Sequence, residues 1–311
     1  MPVMDISDLS VQYRTSHGDV HALEDIEFRL EENESIGIAG ESACGKSTLG
    51  LSIIRMIQGG NLISGKINFD GQSLLDMPNS KFDEDIRWKE ISMVFQGAMN
   101  SLDPVFTIRE QFHEILKRHN FESNSDKIID DAVRSVSLDP SVLKKYPHEL
   151  SGGMKQRVII AMALLLKPKF VIADEPTTAL DVLIQAQIIN LLKDLKKKGM
   201  SIMLISHDLA ILSEVAEKIG IMYGGKMVEF GTSSEIYRNP KHPYTQGLLN
   251  SIPTLHNEKK LSFIPGKPPD LVSPKSGCRF FDRCPEAMEK CKTDPKKIKT
   301  DSGYVLCWLY E

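Results

Sequence analysis

The stretch GESACGKST at residues 40–48 constrains the fold more than any other part of this sequence, because it matches the phosphate-binding loop G-x-x-x-x-G-K-[ST]. Glycines in such a loop let backbone N–H groups close around phosphate oxygens, and the following helix directs its positive dipole end at the anion. The apolar run SIGIA at residues 35–39 predicts a buried strand directly before it. A strand, this loop and a helix in sequence are typical of an α/β nucleotide-binding core. The motif residues in register are Gly40, Gly45, Lys46 and Ser47.

Two side chains of this motif carry specific chemistry. Lys46 can reach the outer phosphates of a nucleoside triphosphate, and the Ser47 hydroxyl can ligate Mg²⁺. Taken alone, the motif indicates only that the chain binds a nucleoside triphosphate.

Composition and charge narrow the class of protein. The 311 residues are 41% hydrophobic and 26% charged, which is ordinary for a globular chain, and the net charge of −4 argues against a nucleic-acid partner. The longest apolar run, residues 158–166, is shorter than the roughly 18–20 residues that span a bilayer. The first ten residues, MPVMDISDLS, lack the basic and apolar regions of a secretory signal. We therefore expect a cytosolic chain whose membrane role, if any, requires a partner that spans.

A second motif, LSGGMKQR at residues 150–157, decides which kind of nucleotide-binding core this is. Together with the phosphate loop, it resembles the ATP-binding cassette (ABC) family. The resemblance implies an α/β fold, the P-loop ABC ATPase, in which a RecA-like core carries an antiparallel β subdomain and an inserted α-helical subdomain. A small C-terminal cysteine-containing extension would follow it.

The order of apolar segments agrees with this fold. Strands are predicted at residues 91–95, 170–173, 201–206, 219–223 and 227–230, and helices at 46–57, 108–119, 127–136, 153–166 and 182–198. We predict an ABC nucleotide-binding domain at residues 1–238, with the helical subdomain at about residues 97–167. The extension is predicted at residues 239–311, where the chain becomes rich in proline and lysine.

Two adjacent acids end the apolar strand at residues 170–173. The resemblance implies that Asp174 orients Mg²⁺ and that Glu175 polarises the attacking water. It also implies that the ATP phosphates contact the whole phosphate loop. The loop residues are Gly40, Glu41, Ser42, Ala43, Cys44, Gly45, Lys46, Ser47 and Thr48.

The resemblance gives roles to four further residues. It implies that Gln96 senses the γ-phosphate and its Mg²⁺, that His207 contacts the γ-phosphate, and that Tyr13 stacks on adenine. Asp181, in the sequence TALD, would lie in the loop that crosses the interface between two cassettes. As isolated residues these would be expected on the surface or in ordinary packing, so their roles rest on the resemblance.

The signature itself is expected to act on a second nucleotide. Ser151, Gly152 and Gly153 open a helix, and the resemblance implies that this helix end faces the γ-phosphate held by the opposite subunit. Two cassettes would then sandwich two ATP molecules. Because this chain carries a single cassette, a second ATPase subunit, identical or homologous, is an expected partner.

The C-terminal sequence resembles one branch of the family. The segments HPYTQGLLNSIP (residues 242–253), IPGKPPDL (264–271) and GCRFFDRCPEAMEKC (277–291) resemble the ATPase subunits of dipeptide/oligopeptide importers, including related nickel and other small-solute permeases. This implies two transmembrane permease subunits as partners, a solute-binding protein acting indirectly, and a location on the cytoplasmic face of the membrane. The solute stays open. The alternatives are a soluble ABC protein working on ribosomes, DNA or metal-cluster assembly, and an exporter ATPase.

Four of the five cysteines lie in this extension, with five, six and fifteen residues between neighbouring positions. Structural disulfides are disfavoured in the cytosol, and the spacing matches neither a zinc ribbon nor a ferredoxin. A [4Fe–4S] cluster and tetrahedral Zn²⁺ are both chemically reasonable, with reduced thiols as the third possibility; the resemblance favours the cluster. The four residues are Cys278, Cys284, Cys291 and Cys307.

Overall fold

The computed structural model describes residues 2–121, 123–178, 180–251 and 263–311. The chain divides into two compact units, one formed by Met1–Asp76 with Met203–Glu311 and the other by Met77–Ile202. The predicted domain bounds, 1–238 and 239–311, stay a prediction. Ala179 of the TALD sequence and the last two residues of HPYTQGLLNSIP lie outside the described residues.

Strands and helices alternate along most of the chain. The strands are β1 Pro2–Thr15, β2 Gly18–Glu31, β3 Ile36–Ala39, β4 Gly60–Phe69, β5 Gln72–Ser73, β6 Ile91–Val94, β7 Phe170–Asp174, β8 Ser201–Ile205, β9 Lys218–Tyr223, β10 Lys226–Thr232, β11 Ile298–Lys299 and β12 Tyr304–Val305. The helices are α1 Lys46–Ile53, α2 Asn79–Lys81, α3 Ile108–Arg118, α4 Ser125–Ser135, α5 Gly152–Leu164, α6 Val182–Lys197, α7 Leu209–Val215, α8 Ser233–Arg238 and α9 Pro243–Asn250.

An antiparallel sheet begins the first unit, in the strand order β2-β1-β4-β5. β1 and β2 form a long hairpin, from Pro2 opposite Glu31 to Thr15 opposite Gly18. The register shifts between Ile6 and Leu9, where Asp8 adopts a positive φ of 50°. This bulge keeps apolar side chains buried on both sides of it. The sheet matches the predicted antiparallel β subdomain.

The other sheet of the first unit carries the phosphate loop. β3 lies between β8 and β9 and runs parallel to both, and β10 and β12 continue the sheet in antiparallel pairing beyond β9. All four residues of β3 are buried, as expected for a strand in the middle of a parallel sheet. Its carboxyl end leads directly into Gly40, and α1 begins at Lys46. The predicted strand–loop–helix order is confirmed.

Helix α1 ends at Ile53, earlier than the predicted residue 57. Ile54 leaves the helical conformation, and Arg55 takes a left-handed φ of 56°. The Arg55 guanidinium donates to the backbone oxygen of Leu74 at 3.1 Å. The apolar spacing continues past Ile53, but the left-handed backbone at Arg55 interrupts the helix.

The second unit contains the predicted helices. α3 begins at a capping box, in which the Thr107 hydroxyl accepts from the Glu110 N–H and the Glu110 carboxylate accepts from Thr107. α3, α4 and α5 contact one another, and β6 pairs with β7 in parallel. Between residues 97 and 167, the described part of the chain forms helices and no strand.

The C-terminal extension folds onto the first unit. β12 pairs with β10, with Tyr304 opposite Phe230, and β11 pairs with β12. Phe280 and Tyr244 are buried against Tyr223 of β9, with ring centroids 4.5–5.4 Å apart. The extension therefore adds strands to the core sheet and shares its hydrophobic core. Across the part of the chain that the structure describes, each helix is too short or too polar to cross a bilayer.

Candidate nucleotide-binding site

The phosphate loop depends on glycine at two positions. Gly40 has a φ of 153°, and a Cβ built on it would lie 2.1 Å from the backbone oxygen of Met222. Gly45 has a φ of 104°, and its Cβ would lie 2.4 Å from the backbone oxygen of Ala22. Both obstacles are backbone atoms, which cannot move aside as a flexible side chain can. The loop is therefore closely packed between the β2 hairpin and the carboxyl end of β9.

The Lys46 ammonium lies inside this loop. It donates to the backbone oxygens of Gly40 at 2.8 Å and Glu41 at 2.9 Å, and its side chain is almost fully buried. These bonds place a positive charge at the centre of the loop, where a bound phosphate would lie. The predicted role of Lys46 fits this position.

Ala43 lies in the phosphate loop and carries a Cβ at a position with an unusual backbone conformation. It adopts a left-handed φ of 62°, a conformation that is disfavoured for a residue with a Cβ. Ala43→Gly is expected to raise the free energy of unfolding by up to about 1 kcal/mol, because it removes this strain at some cost in chain entropy. Urea denaturation of both proteins measures the change, and a less stable Ala43→Gly variant would contradict it.

Cys44 is buried next to the loop lysine. Burial raises the pKa of its thiol, and the nearby Lys46 ammonium opposes that rise. Cys44 therefore packs as a neutral thiol, without the lowered pKa that activates a reactive cysteine.

Tyr13 and His207 belong to the same unit as the phosphate loop. Tyr13 lies on β1 opposite Val20 of β2. Ala22 and Leu23, further along β2, pack against Gly45. His207 is exposed and follows β8, where the Ser206 N–H donates to the Ile38 oxygen of β3. His207 thus lies at the sheet edge from which the phosphate loop leaves.

The second unit brings Gln96 and Glu175 together. The Gln96 side-chain amide donates to Glu175 Oε2 at 3.2 Å, and the Thr178 hydroxyl donates to the same oxygen at 2.9 Å. Glu175 has a left-handed φ of 46°, which is uncommon for a residue with a long side chain and recurs at functional positions. Sequence reasoning missed Thr178, although the sequence PTT after the two acids places a hydroxyl within reach.

Asp174 is the last residue of β7 and is buried, so its carboxylate is fixed by the strand. Gln96 follows β6, the parallel neighbour of β7, and the carboxyl ends of the two strands meet at one edge. This edge presents the predicted Mg²⁺-orienting acid, the predicted base and the predicted sensor side by side.

The signature motif forms a capped helix end. The Ser151 hydroxyl accepts from the Met154 N–H at 3.3 Å, so it caps α5, and both Ser151 and Gly152 are exposed. A Cβ on Gly153 would lie 2.8 Å from the Ile184 side chain, which explains why α5 and α6 require glycine there. Asp181 caps α6 by accepting from the Ile184 N–H at 3.0 Å.

The extension reaches the phosphate loop, a contact that sequence reasoning missed. The Arg283 guanidinium donates to both carboxylate oxygens of Glu41, at 2.8 and 2.9 Å, and the Tyr244 hydroxyl accepts from the Glu41 N–H at 2.9 Å. Arg283 and Tyr244 both lie in the segments quoted for the family resemblance, but nothing in their local sequence names a partner so far away.

The four cysteines of the extension line one narrow cavity of about 10 Å³, together with His242. All of them are free thiols. The pKa of Cys278 is raised to about 11, chiefly by burial and to a smaller extent by the other three thiols. Burial also lowers the pKa of His242 to about 3, so its ring is neutral at neutral pH. Among the described residues, no three His, Cys, Asp or Glu side chains already stand at metal-binding distances.

Comparison with known proteins decides the family. The ABC transporter family model matches residues 23–178, half of the chain. The chain belongs to the ABC transporter family. A second model, the C-terminal region of oligopeptide/dipeptide transporters, matches residues 228–291 of this ABC transporter subunit.

Relatives of this ABC transporter subunit match nearly its whole length. The dipeptide transport ATP-binding protein DppD of Caldanaerobacter subterraneus is 43% identical, over 99% of this chain and 97% of the relative. The oligopeptide transport ATP-binding protein OppD of Haemophilus influenzae is 40% identical over 99% and 97%, and that of Escherichia coli is 41% identical over 94% and 88%.

The fold of this ABC transporter subunit also matches solved cassettes. A dimeric ATP-binding cassette in a post-hydrolysis state with ADP and phosphate bound superposes with a TM-score of 0.66, at 26% identity, over 74% of this chain and 98% of the cassette. The predicted ABC ATPase fold is confirmed. The chain is an ATP-hydrolysing subunit of an ABC transporter, and ATP with Mg²⁺ accords with that family.

Proposed function

We propose that this subunit couples ATP hydrolysis to the uptake of dipeptides or oligopeptides across the cytoplasmic membrane. The observation that carries the proposal is the near-complete match to dipeptide and oligopeptide transport ATP-binding proteins, which includes the extension at residues 228–291. The partners are a second cassette, two transmembrane permease subunits on whose cytoplasmic side the cassettes sit, and a solute-binding protein that acts through the permeases.

Four residues of the first unit are proposed to bind the nucleotide. Lys46 and Ser47 hold the outer phosphates and Mg²⁺, Tyr13 stacks on adenine, and His207 contacts the γ-phosphate. Supporting these roles are the buried ammonium within the loop and the position of His207 at the carboxyl edge of β8.

Glu175 is the general base that accepts a proton from the attacking water. Thr178 and Gln96 both donate to its Oε2, and these two hydrogen bonds orient the carboxylate that accepts the proton. Asp174 orients Mg²⁺, and Gln96 senses the γ-phosphate and its Mg²⁺. The strained backbone of Glu175 supports a functional rather than a structural role for that residue.

The composite site requires a second cassette. Ser151 and Gly152 stand exposed at the N-terminus of α5, where free N–H groups favour an anion. We assign this helix end to the γ-phosphate bound by the partner cassette, with Asp181 in the loop between the two. The dimeric cassette that this fold resembles supports such pairing.

Copurification separates the proposal from its alternatives. A tagged subunit extracted from membranes in mild detergent should bring down two multi-span permeases and a second cassette. Recovery of ribosomes, DNA or a cluster-assembly machine, with no membrane protein, would favour a soluble ABC protein. Export rather than uptake of solute by the purified complex would favour an exporter.

The cysteine cavity of the extension is proposed to hold metal. Four thiols that face one cavity are a donor set suited to a [4Fe–4S] cluster or to Zn²⁺. The present cavity is about the size of one water, so the cluster requires the thiols to turn away from the centre more than Zn²⁺ does. The family resemblance favours the cluster. The cluster would be ligated by the four cysteines and would stabilise the fold of the extension. The ligands are Cys278, Cys284, Cys291 and Cys307.

Metal analysis of anaerobically purified protein tests this site. We expect a brown protein with about four irons per chain. Cys284→Ser should lose the colour and most of the iron, and should make residues from Gly277 onward more sensitive to protease. Cys44→Ser is the matched control, since Cys44 lies in the phosphate loop and should leave the iron content unchanged. Colourless protein with one zinc per chain would replace the cluster by zinc, and metal-free protein would end the proposal.

A further inference from the structure

Arg283 and Glu41 join the extension to the phosphate loop by a two-pronged ion pair. Nη1 and Nη2 of Arg283 donate to Oε2 and Oε1 of Glu41, and the Arg283 side chain is only 6% exposed. A guanidinium that meets a carboxylate in this way is held in a defined plane, and burial reduces screening by solvent. Glu41 is the one acid within the loop sequence GESACGKST.

The extension and Tyr223 of β9 hold Arg283 in place independently of Glu41. Its Nε donates to the Pro265 oxygen at 2.7 Å, its Nη1 donates to the Tyr223 hydroxyl at 3.2 Å, and the guanidinium lies against the rings of Tyr223 and Phe280 at 5.6 and 5.9 Å. Because these contacts hold the guanidinium in place, Arg283 positions Glu41 rather than following it.

Three groups of Glu41 are held: its N–H, its backbone oxygen and its carboxylate. Its N–H donates to the buried Tyr244 hydroxyl, its backbone oxygen accepts from the Lys46 ammonium, and its carboxylate binds Arg283. Two of these three partners come from beyond residue 239. The conformation of this part of the loop therefore depends on the extension as well as on the glycines.

The charge of Glu41 explains why such a partner is needed. A carboxylate in a loop that binds phosphate repels the ligand unless a cation neutralises it, and an uncompensated buried charge is more harmful than the absence of both charges.

We propose that Arg283 is a positioning residue for ATP binding: it neutralises Glu41 and holds that carboxylate away from the phosphate, so the extension sets the affinity of the loop. The inference concerns this subunit's binding of MgATP and does not depend on the metal or on the transported solute. It also predicts different effects on ATP affinity: loss of the Arg283 charge weakens binding, and loss of the Glu41 charge does not.

A double-mutant cycle tests the pair. Arg283→Gln, Glu41→Gln and the double variant are purified, and binding of a fluorescent ATP analogue with Mg²⁺ is titrated alongside ATPase kinetics of the assembled transporter. Arg283→Gln should raise the dissociation constant and KM by about tenfold or more, because Glu41 is left unpaired, while kcat changes by less than about threefold. The double variant should recover most of the lost affinity.

Two further variants keep the result interpretable. Lys297→Gln breaks the ion pair between the same extension and Glu27 of β2, so it controls for general loosening and should leave the affinity unchanged. Arg283→Lys keeps the positive charge but lacks the paired N–H donors of the guanidinium, so it should bind ATP with intermediate affinity. An unchanged affinity in Arg283→Gln, or a double variant as weak as Arg283→Gln alone, would overturn the proposal. If Arg283→Gln does not fold, parental ATP affinity in Arg283→Lys would overturn the proposal instead.

Discussion

Replacing Glu175 with glutamine is expected to slow ATP hydrolysis by about 10²–10⁴-fold while MgATP still binds. Glutamine keeps the shape of the side chain but cannot accept the proton of the attacking water. The amide oxygen can still accept the Thr178 hydroxyl, so the local structure should survive. Single-turnover hydrolysis and nucleotide titration of the purified protein measure the two quantities separately.

The same variant should trap the closed cassette pair. If ATP closes the composite site and hydrolysis opens it, Glu175→Gln with MgATP should elute as a dimer of cassettes in size-exclusion chromatography, and the parental protein should not persist as one. Thr178→Val is the graded control, since it removes one hydrogen bond to the carboxylate and keeps the base. Hydrolysis by Glu175→Gln at the parental rate would assign the base to another residue.

Replacing Gly40 with alanine is expected to abolish measurable nucleotide binding and to lower the free energy of unfolding by about 3 kcal/mol. Two costs add together. The φ of 153° is unfavourable with a Cβ, and that Cβ would lie 2.1 Å from the Met222 oxygen. Relief of the contact requires the phosphate loop to move away from β9, which displaces the N–H groups that bind phosphate.

Gly71→Ala separates these two costs. Gly71 has a positive φ of 75°, but a Cβ on it would meet nothing within 4 Å. It should therefore lose only about 1 kcal/mol, with nucleotide binding intact. Chemical denaturation and ATP-analogue titration compare the two variants. Equal losses of stability, or normal ATP binding by Gly40→Ala, would show that the loop is not packed as described.

Much of the fold was predictable because its signals are local. Short apolar patterns predict the buried strand before Gly40, the strand that ends at Asp174, and the helical segments around α3, α4 and α5. The end of α1 was not predictable, because apolar spacing continues to residue 57 and the helix stops at Ile53. The left-handed backbone at Arg55 interrupts the helix, and no local apolar pattern predicts it.

The site shows the same division between local and distant signals. The glycines of the phosphate loop follow from backbone conformation, which depends on the local sequence. The contact between Gln96 and Glu175 joins strand ends 79 residues apart, and no local sequence pattern predicts it. Arg283 and Glu41 are 242 residues apart, and an arginine in a charged, proline-rich segment is ordinarily expected in solvent. Only the folded chain reveals that pair.

Peptide uptake by reconstituted vesicles tests the central claim most directly. The complete complex of this subunit, its partner cassette and the permeases is inserted with the cassettes exposed to MgATP, and a labelled peptide with the solute-binding protein is supplied on the opposite side. We expect ATP-dependent movement of the peptide to the cassette side, and its loss when this subunit carries Glu175→Gln. ATP hydrolysis by the intact complex with no movement of any dipeptide or oligopeptide supplied would contradict the account.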